Sequence, residues 1–177
     1  AGSHRGGYTP FSFDITDLVR PGINVVTVCA EDDVRSRLQP AGKQSLRFES
    51  HACHYTRTTG IWQTVWLESV PKDYISSLRF VPDPENACLH VEVALKGDVY
   101  GDTLVFETWF KGKNTGRASV KINNLNTYVT VNLSEVHLWG PGEPNIYDIN
   151  VWLYKDGQCF DSVKSYFGLR TVALSEN

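Results

Sequence analysis

"YDINVWLYKDGQCFDSVKSYF", residues 147–167, decides the fold class. Residues 147–154 and 159–167 read as two strands joined through "KDGQ". Asp156-Gly157 is a strong hairpin signal, because a two-residue connection between right-twisted strands needs positive φ at both central positions. The same rhythm continues back to residue 75. "ISSLRFV" and "CLHVEVALK" flank the turn "PDPEN", with Leu89, Val91, Val93 and Leu95 on one face. "TLVFETWF", the turn "KGKNTG", "ASVKI" and "YVTVNL" follow, then the Pro/Gly-rich segment "LWGPGEPNIYD". That makes about seven strands in about 100 residues, the count of an immunoglobulin-like sandwich. No stretch shows helical periodicity with caps.

Upstream of a linker at "PKDY", residues 71–74, the pattern is again that of strands. Phe11, Phe13 and Ile15 alternate with Ser12 and Asp14; "DLVRPGIN" supplies turn residues before the apolar run "VVTVCA". "EDDVRSRLQPAGKQ" is too long for a hairpin, and loops of that length are often functional. "SLRF" is a further short strand. In "TTGIWQTVWLESV", residues 58–70, Ile61, Gln63, Val65 and Leu67 share one face, while Trp62, Thr64, Trp66 and Glu68 share the other. Two tryptophans on one face fit a sugar-stacking platform, a seam against another domain, or packing. Four or five strands are too few to close a core, so earlier strands of this first domain are expected upstream.

The chain has 177 residues, of which 41% are hydrophobic and 12% aromatic, ample for packed cores. A net charge of −3, with scattered Arg and Lys, provides no basic field for nucleic acid. No apolar run reaches the ~18 residues of a membrane-spanning helix. The absence of methionine points to a piece of a longer protein. Cys29, Cys53, Cys88 and Cys159 allow three disulfide pairings, but a chain of this size folds without staples, and free thiols acting as small apolar residues are expected. The compartment stays open between the cytoplasm and the periplasm or exterior of a bacterium.

Chemistry-bearing motifs are sparse. There is no G-x-S-x-G nucleophile elbow and no glycine-rich phosphate cradle. "HACH" offers His51, Cys53 and His54, but in a strand His54 opposes the other two, and no second ligand pair has structural-zinc spacing. No metal and no cofactor is expected. Asp32, Asp33, Glu49 and Glu68 lie near loops, yet nothing pairs them at the separation that glycoside hydrolysis needs. They read as solvated charges.

"GGYTPFSFDITDLV", "TTGIWQTVWLE", "LWGPGEPNIYDINVWL" and "YFGLR" occur in an order that resembles glycoside hydrolase family 2, which includes β-galactosidases, β-glucuronidases and β-mannosidases. The four motifs span residues 6–170. The resemblance implies an all-β chain: a partial jelly-roll sandwich over 1–72, the later strands of a sugar-binding domain, then an immunoglobulin-like β-sandwich over 73–174. Residues 175–177 would begin the link to a TIM barrel that holds both catalytic glutamates. The family's acid/base glutamate follows an asparagine, and this chain contains no Asn-Glu dipeptide. The resemblance therefore implies a non-catalytic part of a retaining β-glycosidase, β-galactosidase-like, that is inactive alone.

By the same resemblance, the loop before "GIW" reaches the barrel mouth. His54, Tyr55, Thr56, Arg57, Thr58 and Thr59 would border the sugar subsite or brace the barrel interface. Arg170 matches the exit arginine and reads as a structural, interdomain group. Trp139 reads as a core plug, and Trp62 and Trp66 as packing. Gly6 and Gly7 read as backbone positions closed to other residues. The implied partners are a β-linked glycoside, the barrel and, as in relatives, a second copy in a homo-oligomer. A free-standing carbohydrate-binding module or an adhesion sandwich is the alternative.

Overall fold

The computed structural model describes residues 1–172 of the chain. It divides into two compact units, Ala1–Leu67 and Glu68–Asn177. The expected link at 175–177 and the end of the second domain at 173–174 lie outside the described residues.

The second unit is an antiparallel β-sandwich. Its strands are β1 (Tyr74–Asp83), β2 (Cys88–Lys96), β3 (Thr103–Phe110), β4 (Lys113–Lys121), β5 (Asn126–Asn132), β6 (Tyr147–Lys155) and β7 (Gln158–Phe167). One sheet has the order β1-β2-β5 and the other β4-β3-β6-β7. The chain is thus all-β in its regular structure, as the strand spacing predicts. The opening hairpin forms as read: Lys155 pairs with Gln158, and Asp156 and Gly157 adopt φ of 49° and 79° between them. Lys111 and Gly112, at 47° and 82°, make the same kind of turn between β3 and β4. This turn is tighter than "KGKNTG" suggests, so β4 begins at Lys113 and not at Ala118.

Alternation builds the core. Leu89, Val91, Val93 and Leu95 of β2 face inward, as the sequence predicts, opposite Leu104 and Phe106 of β3 and Ile149, Val151 and Leu153 of β6. All are essentially inaccessible to solvent. Burial of this kind contributes about 1.5–3 kcal/mol per large aliphatic or aromatic side chain. Tyr147 enters this core with its ring stacked on Phe167, centroids 5.0 Å apart. Its hydroxyl accepts the His137 amide proton at 2.7 Å and donates to the Glu135 carbonyl at 3.1 Å. A tyrosine at the start of a late strand, bonded back to upstream backbone, is the corner brace of immunoglobulin-like sandwiches.

The first unit differs from expectation. Phe11–Ile15, Val25–Ala30, Ser45–Phe48 and Ile61–Val70 read as strands, yet none forms a ladder among the described residues. Regular structure before Tyr74 is limited to a 3-10 turn, Thr16–Leu18, and two isolated bridges, Gln44 with Tyr55 and His51 with His54. The physical reason is pairing: alternation creates a strand only where a neighbouring strand takes up its amides and carbonyls. Turn chemistry, being local, does appear. Asp14 Oδ1 accepts both the amide (2.9 Å) and the hydroxyl (2.6 Å) of Thr16, and the Asn24 side chain bonds Arg20 and Gly22 across the "RPG" bend.

Within this unit Trp62 and Trp66 are 66% and 71% exposed. Trp62 nevertheless joins two of the four motifs. Its Nε1 donates to the Gly7 carbonyl at 2.6 Å, and its ring meets Tyr8 edge-on at 6.3 Å. Gly6 adopts φ of 110°, as expected of a glycine-only position, whereas Gly7 does not share that geometry. All four cysteines are free thiols, but only Cys88 is buried; the apolar role expected of the other three is not seen.

Candidate functional site

The loop from His54 to Thr59 is held by its backbone. Tyr55 donates its amide to the Lys43 carbonyl at 2.8 Å and accepts the Ser45 amide at 2.7 Å. The Thr58 amide donates to Gln44 Oε1 at 3.0 Å. These bonds fix the main chain and leave the Tyr55, Thr56 and Thr58 side chains exposed. Arg57 lies half-buried with its guanidinium 4.8 Å above the Phe48 ring, a cation–π contact that sets its direction. The Thr59 hydroxyl donates to Asp32 Oδ2 at 3.5 Å.

His54 turns the other way. "HACH" is a tight turn and not a strand: His51 and His54 exchange backbone hydrogen bonds of 3.1 and 2.9 Å, with Ala52 at φ 48°. The two imidazoles therefore stack, 5.0 Å apart and 13° from parallel, where strand alternation places them on opposite faces. His51 Nδ1 lies 3.0 Å from Oγ of buried Ser45, which also accepts the Arg47 amide. His51, Cys53 and His54 do not converge as three metal donors.

Beside the two histidines lies an open cleft of about 460 Å³, lined by Arg37, Gln39, Gln44 and Arg47 together with His51 and His54. Guanidinium, amide and imidazole groups supply donors for hydroxyl or carboxylate oxygens. No Asp or Glu lines this cleft, so it has no carboxylate for acid–base or nucleophilic work on a glycosidic bond. Of these residues sequence reasoning named only His54 for the site. Arg37, Gln39 and Gln44 all sit on the long polar loop 31–44, whose length was the available signal. The four loop carboxylates remain exposed, and Asp32 is engaged by Gln39 Nε2 at 2.6 Å.

In the second unit Trp139 and Arg170 lie together. The Trp139 amide donates to the Leu169 carbonyl at 2.9 Å, and Leu138 bridges Leu169. A Cβ added to Gly168 would lie 3.2 Å from Trp139 Cβ, so the indole sits directly on the backbone of "YFGLR". Arg170 also lies against the indole, its guanidinium 5.1 Å from the ring centroid. Trp139 is half-buried, closer to the surface than the core plug expected. Across the outer face of the four-stranded sheet runs a second open groove of about 520 Å³, lined by Trp152, Tyr154, Glu107, Arg117 and Lys121. The alternate aromatics of "NVWLY" were its sequence signal.

The sequence is similar to those of several larger proteins. A 26% identical protein, the "Putative beta-glucuronidase" of Formosa agariphila, aligns with 100% of this chain and 21% of its own length. The "Beta-galactosidase" of Thermoanaerobacter pseudethanolicus is 24% identical over 99% of the chain and 24% of its length. That of Thermoanaerobacterium thermosulfurigenes is 28% identical over 98% and 25%. The chain spans about a fifth to a quarter of the length of these relatives. In fold it is similar to the Bifidobacterium dentium β-glucuronidase, with a TM-score of 0.51 at 18% identity over 59% of this chain and 19% of that one. The profile of "Glycosyl hydrolases family 2" matches residues 74–170, strand β1 through the Trp139–Arg170 brace. With more than half of its residues under that match, the chain belongs to glycosyl hydrolase family 2.

Proposed function

We propose that this chain is the non-catalytic β-domain portion of a retaining, β-galactosidase-like enzyme, with its 54–59 loop forming part of the wall around the sugar. Residues 1–72 are read as later strands of a jelly roll, and 73–174 as the immunoglobulin-like domain that positions a catalytic barrel. In the whole enzyme one glutamate of that barrel attacks the anomeric carbon. A second protonates the leaving oxygen and then activates water.

The observation that carries the reading is the loop itself. Its backbone is pinned to Lys43, Gln44 and Ser45 while Tyr55, Thr56 and Thr58 stay exposed beside a donor-lined cleft free of carboxylates. Such a loop presents groups to hydroxyls at little ordering cost and leaves the bond-breaking to another domain. The test compares this chain with its full-length parent on aryl β-galactosides and β-glucuronides. The chain alone should show no turnover. In the parent, Tyr55→Ala and Arg57→Ala should each lower kcat/KM about tenfold, the loss of roughly 1.4 kcal/mol of binding. Turnover by the chain alone defeats the proposal, as does unchanged kcat/KM in both loop variants.

A second reading, a carbohydrate-binding module, draws on the exposure of Trp62 and Trp66. Oligosaccharides added to the chain would then quench tryptophan emission, and Trp66→Ala would remove the effect. A flat titration with galactosides, glucuronides and mannosides rejects this reading.

A further inference from the structure

In the second unit, the hairpin of β1 and β2 gathers three metal-type donors on the outer face of the three-stranded sheet. Asp83 and Cys88 are directly opposed across the ladder, and His90 follows Cys88 by two residues on the same face. The His90 Nε2 atom lies 3.7 Å from Cys88 Sγ and 3.8 Å from Asp83 Oδ2, and all three donor atoms fall within 4.8 Å of one another. We propose that Asp83, Cys88 and His90 form a binding site for a zinc-type divalent cation.

The distances support this assignment. Metal–sulfur and metal–nitrogen bonds of about 2.3 and 2.05 Å at a tetrahedral angle place sulfur and nitrogen about 3.6 Å apart, and nitrogen and oxygen about 3.4 Å apart. The observed sulfur–nitrogen separation of 3.7 Å nearly matches, the nitrogen–oxygen separation of 3.8 Å is somewhat longer, and the sulfur–oxygen separation lies within 4.8 Å, so side-chain rotation would draw the carboxylate inward on binding. Each donor is also aimed. His90 Nδ1 lies 2.9 Å from Thr130 Oγ1 on β5, its cross-strand partner, which occupies that nitrogen and turns Nε2 toward the cluster. Asp83 is held by Asn86, whose amide donates to Oδ1 at 3.1 Å and whose Nδ2 donates to Oδ2 at 2.7 Å. A carboxylate oxygen keeps a second lone pair for a metal. Thr130 and Asn86 thus orient the donors as outer partners do in zinc sites.

The donor set selects the class of ion. Thiolate, imidazole and carboxylate together suit zinc and its borderline-soft neighbours, whereas magnesium and calcium prefer oxygen alone. Cys88 is buried while His90 is exposed, so an ion would enter from the His90 side and keep a solvent ligand in the fourth position. On binding, the Cys88 thiol releases its proton to solvent as the metal–sulfur bond forms and a metal-bound water departs. The pattern Asp83-x4-Cys88-x-His90 matches no sequence spacing for zinc. The ladder register, not the spacing, brings the groups together.

Cobalt(II) reports such a site directly. The 177-residue chain, kept reduced, is titrated with cobalt while thiolate-to-cobalt charge transfer and visible ligand-field bands are recorded. One ion per chain with a charge-transfer band, bleached by zinc, is expected. Cys88→Ser should abolish the band, and Thr130→Val should weaken binding about 10–100-fold. Cys53→Ser, in the "HACH" turn, should leave the band unchanged. Asp83→Asn and His90→Gln, checked for native circular dichroism, serve should Cys88→Ser misfold; each should weaken binding at least as much as Thr130→Val. A missing charge-transfer band, a band that survives Cys88→Ser, one that depends on Cys53, or unchanged binding in folded Asp83→Asn and His90→Gln overturns the proposal.

Discussion

Replacing Tyr147 by Phe removes one oxygen and keeps the ring stacked on Phe167. That oxygen accepts the His137 amide at 2.7 Å and donates to the Glu135 carbonyl at 3.1 Å. A net hydrogen bond is worth about 0.5–1.5 kcal/mol, and a stranded buried donor costs about 1–3 kcal/mol. His137 and Glu135 are only half-buried, so water can recover part of the loss. The expected cost is about 2 kcal/mol. For a unit of about 100 residues that corresponds to a fall in Tm of about 10 °C. Calorimetry on the chain, supported by urea unfolding at near-UV wavelengths, reads both quantities. Amide hydrogen exchange supplies the local check, since His137 should lose protection while the β2 amides keep theirs relative to global unfolding. A Tyr147→Phe chain that melts within about 1 °C of the parent, with His137 still protected, refutes the brace.

The sandwich makes other demands that can be measured. Leu153→Ala, at a fully buried position, should destabilise the second unit by about 2–5 kcal/mol, read as a lower urea midpoint at unchanged slope. Gly116→Ala places a Cβ 2.4 Å from the Asn132 carbonyl oxygen and 2.9 Å from Thr108 Oγ1. Backbone must move, at a cost of about 1–3 kcal/mol or more, and a melting temperature within error of the parent would contradict the packing. Glu135 is held below its ordinary value near 4.5, chiefly by the hydrogen bond from Lys113 Nζ at 2.9 Å. A depressed carboxylate stabilises the fold above its unfolded pKa, and that contribution fades as pH falls through the folded value. Lys113→Ala should therefore narrow the gap in Tm between pH 6 and pH 3; an unchanged gap shows that the pair is not linked to folding.

Much of the second unit was legible because its signals are local. Asp156-Gly157 specifies a turn from its own backbone preferences, and the alternation from Leu89 to Leu95 specifies an inward face from a period of two. Where a signal depended on a few dihedrals, the reading slipped: β4 starts five residues early because Lys111 closes the turn at positive φ. In the first unit alternation alone was not sufficient, since Ile61 to Leu67 carries a strand pattern with no ladder beside it among the described residues.

The candidate site divides along the same line. Composition and the four ordered motifs, both sequence properties, point to a β-rich chain of glycosyl hydrolase family 2. The convergence of Arg37, Gln39 and Arg47 with the stacked His51 and His54 was not legible, nor was the approach of Asp83 to Cys88 and His90. Sequence determines which faces are apolar and where the chain can turn, because those depend on neighbours within a few residues. Only tertiary structure decides which distant side chains share a cleft or a ladder rung, because that depends on the register of pairing between segments that the chain order leaves open.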